Sequence, residues 1–272
     1  MAKTILITGA TDGIGLETAK KLAGMGHNLL IHGRNPAKLE AAAEQIKEQG
    51  GDGELSTYVA DLSRLPEVVS LTDAVSSSHT SLDVLLNNAG VYKTPQTRTE
   101  DGFDTRFMVN TIAPYLLTER LLPLLGSKGR VIGLSSAAQA PVSLNALKGK
   151  EPLSDGAAYA QSKLALTMWT SALAENLKGN GPMLISVNPG SLLASKMVKD
   201  AFGVAGSDLS IGAGILCKAA LSDEFANAHG KYFDNDSGRF AAPHPAGQDE
   251  AKAQAVLEAV QAIIEDRLGP NA

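Results

Sequence analysis

The sequence predicts a doubly wound α/β fold: a single domain over residues 1–272, built on a mostly parallel, seven-stranded sheet with helices on both faces. Three observations predict it. Short apolar, β-branched runs alternate with helical apolar spacing almost from end to end. The first run, 4–8, passes through Gly9, Gly13 and Gly15 into a helical pattern, which makes a strand–glycine turn–helix unit. No internal repeat and no linker-like composition divides the chain.

Each element has its own reason. The Thr4-Ile-Leu-Ile-Thr8 run is apolar or β-branched throughout, as a strand covered on both faces requires. Similar runs predict strands at 28–32, 54–60, 82–86, 130–134, 183–187 and 231–233. Helical spacing predicts helices near 14–24, 36–49, 64–77, 101–125, 157–178, 210–221 and 248–267. Right-handed crossovers then leave the doubly wound topology as the natural choice. Two stretches, 137–156 and 191–210, lack periodicity and follow expected strand ends, where open α/β sheets bind ligands.

Composition narrows the class. A net charge of −5 gives no electrostatic reason for a nucleic acid or an anionic membrane as partner. No run approaches the roughly 18 apolar residues of a transmembrane helix, and the first strand begins too early for a signal segment. The lone Cys217 excludes an internal disulfide framework and fits a reducing compartment. The expectation is a cytoplasmic protein, monomer or homodimer, acting on a small molecule and holding no metal.

The glycine turn carries the first chemistry. Helix N-terminal amides aimed at the turn bind a phosphate, and a Cβ would hold that phosphate away. Thr8, Gly9, Thr11, Asp12, Gly13, Ile14 and Gly15 are therefore candidate cofactor contacts. After the second strand come Arg34 and Asn35, with Lys38 beyond. A dinucleotide site for free ribose hydroxyls usually has Asp or Glu here, whereas a guanidinium suits a 2′-phosphate. NADP(H) is thus favoured over NAD(H); the bland alternative is a solvated Arg at a helix start. At the third strand end Asp61-Leu62 offers an adenine contact, and Asp61 is equally a good helix N-cap. Asn88, Ala89 and Gly90 follow the fourth strand as a turn with free amides.

Pro114 lies four residues after Asn110 and has no N–H, so the Asn110 carbonyl loses its helical donor. That leaves either a bare kink or an acceptor for a water. The fifth strand ends at Ser136, and Tyr159 and Lys163 follow at i and i+4 on one helix face. An ammonium beside a phenol is a means of moving the phenol pKa from ~10 toward ~7, which takes about 4 kcal/mol of differential electrostatics.

With Thr8-Gly9-x-x-x-Gly13-x-Gly15, Asn87-Asn88-Ala89-Gly90, Asn110, Ser136, Tyr159-x-x-x-Lys163 and Asn188-Pro189-Gly190 in this order, the chain resembles the short-chain dehydrogenase/reductase family along nearly its whole length. It looks most like the retinol-dehydrogenase-like and protochlorophyllide-reductase-like members. The resemblance implies a Rossmann fold and a nicotinamide cofactor. It implies that Tyr159 exchanges the proton, Ser136 hydrogen-bonds the substrate oxygen, Lys163 binds the nicotinamide ribose and lowers the Tyr159 pKa, and Asn110 holds a relay water. Pro189, Gly190 and the Leu192 backbone are implied cofactor contacts. The family's Thr beyond Pro-Gly is absent: Ala194 stands in its place and Ser195 one residue late.

The reading is an NADP(H)-dependent oxidoreductase of a carbonyl/alcohol pair on an apolar small molecule. Two rivals remain, a C=C reductase of the same fold and a silent NADP(H)-binding sensor or scaffold. The stretch 191–210, with Leu192, Leu193, Met197, Val198, Phe202 and Val204, reads either as a substrate lid or as a static amphipathic helix.

Overall fold

The computed structural model describes residues 1–191, 193–194 and 206–269. Leu192 and most of the expected lid, including Ser195, Met197, Val198, Phe202 and Val204, lie outside the described residues.

Strands β1 (Thr4–Ile7), β2 (Asn28–Gly33), β3 (Leu55–Val59), β4 (Val84–Asn87), β5 (Arg130–Leu134), β6 (Met183–Asn188), β7 (Tyr232–Asp234) and β8 (Arg239–Ala241) form one sheet. Their order is 3-2-1-4-5-6-7-8. The chain moves outward from β1 through β2 to β3, then crosses to β4 on the other side of β1. The C-terminal ends of β1 and β4 therefore flank the switch point, where this architecture opens a ligand crevice. The first seven strands are parallel, as expected, but the sheet has eight. β8 pairs antiparallel with β7, Tyr232 opposite Ala241, through a turn in which Gly238 takes φ 67°. Arg-Phe-Ala is too short to show a strand period, so this edge was not legible in the sequence.

Alternation along each strand feeds two cores. In β1, Ile5 and Ile7 face the helices α1 (Gly13–Gly24), α2 (Pro36–Lys47) and Leu209–Leu221. Leu6 faces the other layer, formed by α3 (Leu65–Ser78) and the helices Ala113–Leu125, Asp155–Asn176 and Glu250–Leu268. The Asp155–Asn176 helix is buried on nearly all sides, with Trp169 wholly inaccessible. Its middle can be buried on all sides because the Glu250–Leu268 helix covers its outer side through Val256, Leu257 and Val260.

The expected 101–125 helix is broken and starts later. A short turn Thr105–Phe107 leads into a π-helical segment, Met108–Ile112, and only then into the Ala113–Leu125 helix. The Ala113 N–H reaches back five residues to Met108. Pro114 cannot donate to Asn110, and the widened turn just ahead of it accommodates the missing bond. The non-periodic 137–156 stretch is anchored: Leu147, in a short helix Leu144–Leu147, is fully buried, and Ser143 donates its amide to Gln161 Oε1 at 2.9 Å.

Candidate active site

The turn after β1 is built around close approaches that exclude a Cβ. Gly9 and Gly13 take φ 66° and 57°. A Cβ on Gly15 would lie 2.3 Å from the Gly9 carbonyl oxygen and 2.3 Å from Asn88 Nδ2. Asn88 Nδ2 donates to the carbonyls of Thr8 and Gly9 at 2.8 and 3.0 Å. The Thr8 hydroxyl accepts from the amides of Asn88 and Ala89, both at 3.0 Å. Thr8, Gly9, Asn88 and Ala89 thus lace the ends of β1 and β4 together at the switch point. Asp12 caps α1 by accepting from Gly13 N at 2.7 Å. The next first-turn amides, those of Ile14 and Gly15, have no intrahelical partner and suit an anion. Thr11 packs where Gly33 lacks a side chain, since a Cβ there would meet Thr11 Cγ2 at 2.3 Å.

Arg34 stands exposed at the end of β2, and among the described residues neither it nor Lys38 has a side-chain partner. Two free cations at this strand end fit a phosphate on the adenosine ribose. The Asn35 side chain is committed to capping α2, accepting from Lys38 N at 3.0 Å. Asp61 does not cap α3, whose N-cap is Arg64. Its carboxylate accepts from the amide and hydroxyl of Ser63 through Oδ1, which leaves Oδ2 for a ligand. Leu62 buries its side chain in the core, so only its backbone is placed for a ligand.

Ser136, Tyr159 and Lys163 come together beyond β5. Ser136 stands beside the Tyr159 phenol and favours its ionised form, and Lys163 Nζ lies 5.7 Å from the centre of the Tyr159 ring. Lys163 also donates to the Leu134 carbonyl at 2.7 Å. A Cβ on Gly90 would come within 3.3 Å of Lys163 Nζ and 3.4 Å of Asn110 Oδ1, so the bare backbone there keeps the cleft open. Asn110 is wholly buried and its side chain is fully used. Oδ1 accepts from Val91 N at 2.8 Å, while Nδ2 donates to the Val91 carbonyl and to Ser162 Oγ, both at 3.0 Å. It fastens the segment after Gly90 to the helix that carries Tyr159 and Lys163.

Burial dominates the electrostatics here. The Tyr159 pKa is raised: burial outweighs the influence of Ser136, and the neighbouring Tyr92 adds to the rise. Burial lowers Lys163 to about 8. In the chain by itself the phenol is thus a neutral proton donor at physiological pH, beside a lysine that is still mostly charged.

The comparisons agree with this geometry. The family model for short chain dehydrogenase matches residues 3–203. The chain belongs to the short-chain dehydrogenase family. As a member it is an oxidoreductase acting on alcohol/carbonyl pairs. It is 32% identical to retinol dehydrogenase 13 of Homo sapiens over 271 residues, spanning 93% of this chain and 81% of the relative. Against retinol dehydrogenase 12 of Bos taurus it is 36% identical over 204 residues, 74% of this chain and 64% of the relative. Among solved structures, an uncharacterised protein of Mycobacterium paratuberculosis superposes with a TM-score of 0.80 at 28% identity, covering 97% of this chain and 93% of the other. A short chain dehydrogenase of Shigella flexneri complexed with NADP gives 0.68 at 27% identity, covering 86% and 96%.

This dehydrogenase also uses residues that sequence reasoning missed. His32 accepts from Gly9 N at 3.3 Å through Nδ1, and its Nε2 pairs with the Ala60 carbonyl at 2.9 Å. That pattern requires the neutral Nε2–H ring, and burial lowers the His32 pKa accordingly. Gln139 Nε2 and Tyr232 Oη both donate to the Ser136 carbonyl, at 2.9 and 3.2 Å, and fix the serine from behind. Asn188, Pro189 and Ser191 are held by the β7–β8 turn: Asn188 donates to Asp234 and Asp236, Ser191 N donates to Asp236, and Asn235 donates to the Pro189 carbonyl. Gly190, at φ 123°, makes the bend between them. Leu193, expected on a lid, is buried against the Leu209–Leu221 helix beside Gly212. Apart from Gln139 and Ser136, which are three residues apart, these partners lie tens of residues apart and no local spacing marks them.

Among the described residues no helix is long and apolar enough to cross a membrane.

Proposed function

We propose that the chain interconverts a carbonyl and an alcohol on an apolar small molecule with NADP(H), Tyr159 supplying or taking the proton. The observation that carries the reading is the gathering of Ser136, Tyr159 and Lys163 at one strand end, with Lys163 Nζ 5.7 Å from the Tyr159 ring centre. The nicotinamide, when bound, supplies the hydride and, once oxidised, a positive charge that favours the phenolate. The amides at the start of α1 would hold the pyrophosphate, and Arg34 with Lys38 the 2′-phosphate. NADP-bound neighbours support that choice.

Ser136 orients the substrate oxygen, because its hydroxyl stands beside the phenol and can donate to the same oxygen. Tyr159, kept protonated by burial, donates to the oxygen of a carbonyl as the alcohol forms. Lys163 stabilises charge that develops on the phenol oxygen, its own position fixed by Leu134. A groove of about 350 Å³ lined by Ala137, Gln139, Tyr232, Asp234, Asp236 and His244 adjoins Ser136, and its two carboxylates make it unsuited to the apolar part of the substrate. The retinol and polyprenol named for the relatives are long apolar alcohols, which sets the class to try first.

The test is NADPH oxidation with all-trans-retinal and a series of aliphatic aldehydes, followed by product analysis. An alcohol product is expected; a saturated carbonyl product would replace this reading with C=C reduction. Tyr159→Phe should bind NADPH normally and lose at least about 100-fold in kcat, and a near-normal kcat would move proton transfer elsewhere.

A further inference from the structure

We propose that Arg106 is a positioning residue for Tyr159: its guanidinium clamps the first turn of the Asp155–Asn176 helix to the start of the segment that carries Asn110. The clamp's link to turnover rests on the assignment of Tyr159 above. The Arg106 side chain is 1% exposed. Charge is held that deep only when it is fully paired. Nε and Nη2 donate to the two oxygens of Asp104 at 2.8 and 2.6 Å, and Nη1 donates to Asp155 Oδ1.

Both carboxylates sit at beginnings. Asp104 caps the turn Thr105–Phe107 and accepts from the Arg106 amide at 2.8 Å, immediately before the π-helical segment with Asn110. Asp155 is the first residue of its helix and lies one turn ahead of Tyr159 on the same face. The turn between them packs against Tyr92. A Cβ on Gly156 would lie 3.5 Å from the Tyr92 hydroxyl, and the Tyr92 ring meets the Tyr159 ring edge-on at 5.0 Å. Where that turn sits decides where the phenol sits relative to Ser136. A guanidinium suits the task because its planar fork fixes direction as well as distance.

Removing Arg106 would strand two carboxylates, so the decisive variants are at Asp155. Asp155→Ala leaves Arg106 paired with Asp104 and cuts the ion pair between the two elements while the Asn110–Ser162 bond remains; Asp155→Asn keeps an acceptor for Nη1. In Asp155→Ala, amide hydrogen exchange over 155–163 should quicken about tenfold while exchange in the Glu250–Leu268 helix is unchanged. With NADPH and all-trans-retinal, kcat per NADPH-binding site should fall about tenfold with KM within about twofold, and Asp155→Asn should recover most of it. Unchanged exchange over 155–163 overturns the clamp whatever the substrate. Faster exchange with a normal kcat overturns its role in positioning. Turnover that survives Tyr159→Phe overturns the assignment of Tyr159 instead, and exchange alone then judges the clamp.

Discussion

Lys163 holds its charge against its surroundings. Burial lowers its pKa to about 8, whereas in the unfolded chain it titrates near the ordinary lysine value of ~10.4. Between those values the unfolded state binds more protons, so stability rises with pH across that window. Below about 8 the full penalty applies, roughly 3 kcal/mol. Lys163→Met should therefore stabilise the protein at pH 7 by up to that amount, lose the advantage by pH 10, and abolish turnover. Urea unfolding at the two pH values checks it; equal stability at pH 7 would mean that the Leu134 contact already offsets burial. Arg34 offers the opposite case, an unpaired surface charge whose loss costs the fold nothing. Arg34→Ala should weaken NADPH by about 10- to 150-fold, a loss of ~1.5–3 kcal/mol, and leave NADH nearly unchanged. Calorimetric titration of both cofactors decides, and equal affinity of the parent protein for both would refute the 2′-phosphate role.

At the scale of the element, legibility followed sequence distance. Gly9, Gly13 and Gly15, and the Tyr159–Lys163 pair, were readable because one turn or one helical repeat fixes their chemistry. The Asn88 lace, the Tyr232 brace on Ser136 and the Asp236 hold on Ser191 were not, since only the assembled sheet brings these residues together. Spacing likewise reveals a lysine near Tyr159, but not the burial that raises the phenol pKa in the chain by itself. The break in the 101–125 helix was half visible. Pro114 announced a missing donor, yet the π-helical remedy at Met108–Ile112 depends on packing that no local pattern encodes. Pro114→Ala would return an N–H opposite the Asn110 carbonyl and favour an ordinary α-turn. That change should lower kcat about tenfold while shifting Tm by only a few degrees, if the carbonyl serves proton transfer. Turnover and a pH profile identical to the parent would reduce Pro114 to a structural kink.

Across the whole molecule, the parallel sheet brings loops from six strand ends to one edge, and the chemistry is assembled there from residues 8 to 244. The two cores serve different halves of that task. One seats α1 and the glycine turn against the Leu209–Leu221 helix. The other seats the helix carrying Tyr159 and Lys163 under the Glu250–Leu268 helix. This second arrangement bears on how the enzyme behaves in dilute solution. A helix as apolar as Asp155–Asn176 would need another protein molecule to cover it if its own chain did not, and catalysis would then fade as molecules separated. Here Val256, Leu257 and Val260 already do that covering. Specific activity should therefore stay constant from micromolar to nanomolar enzyme, and a fall on dilution that NADPH or added inert protein does not prevent would show that a second copy completes the site.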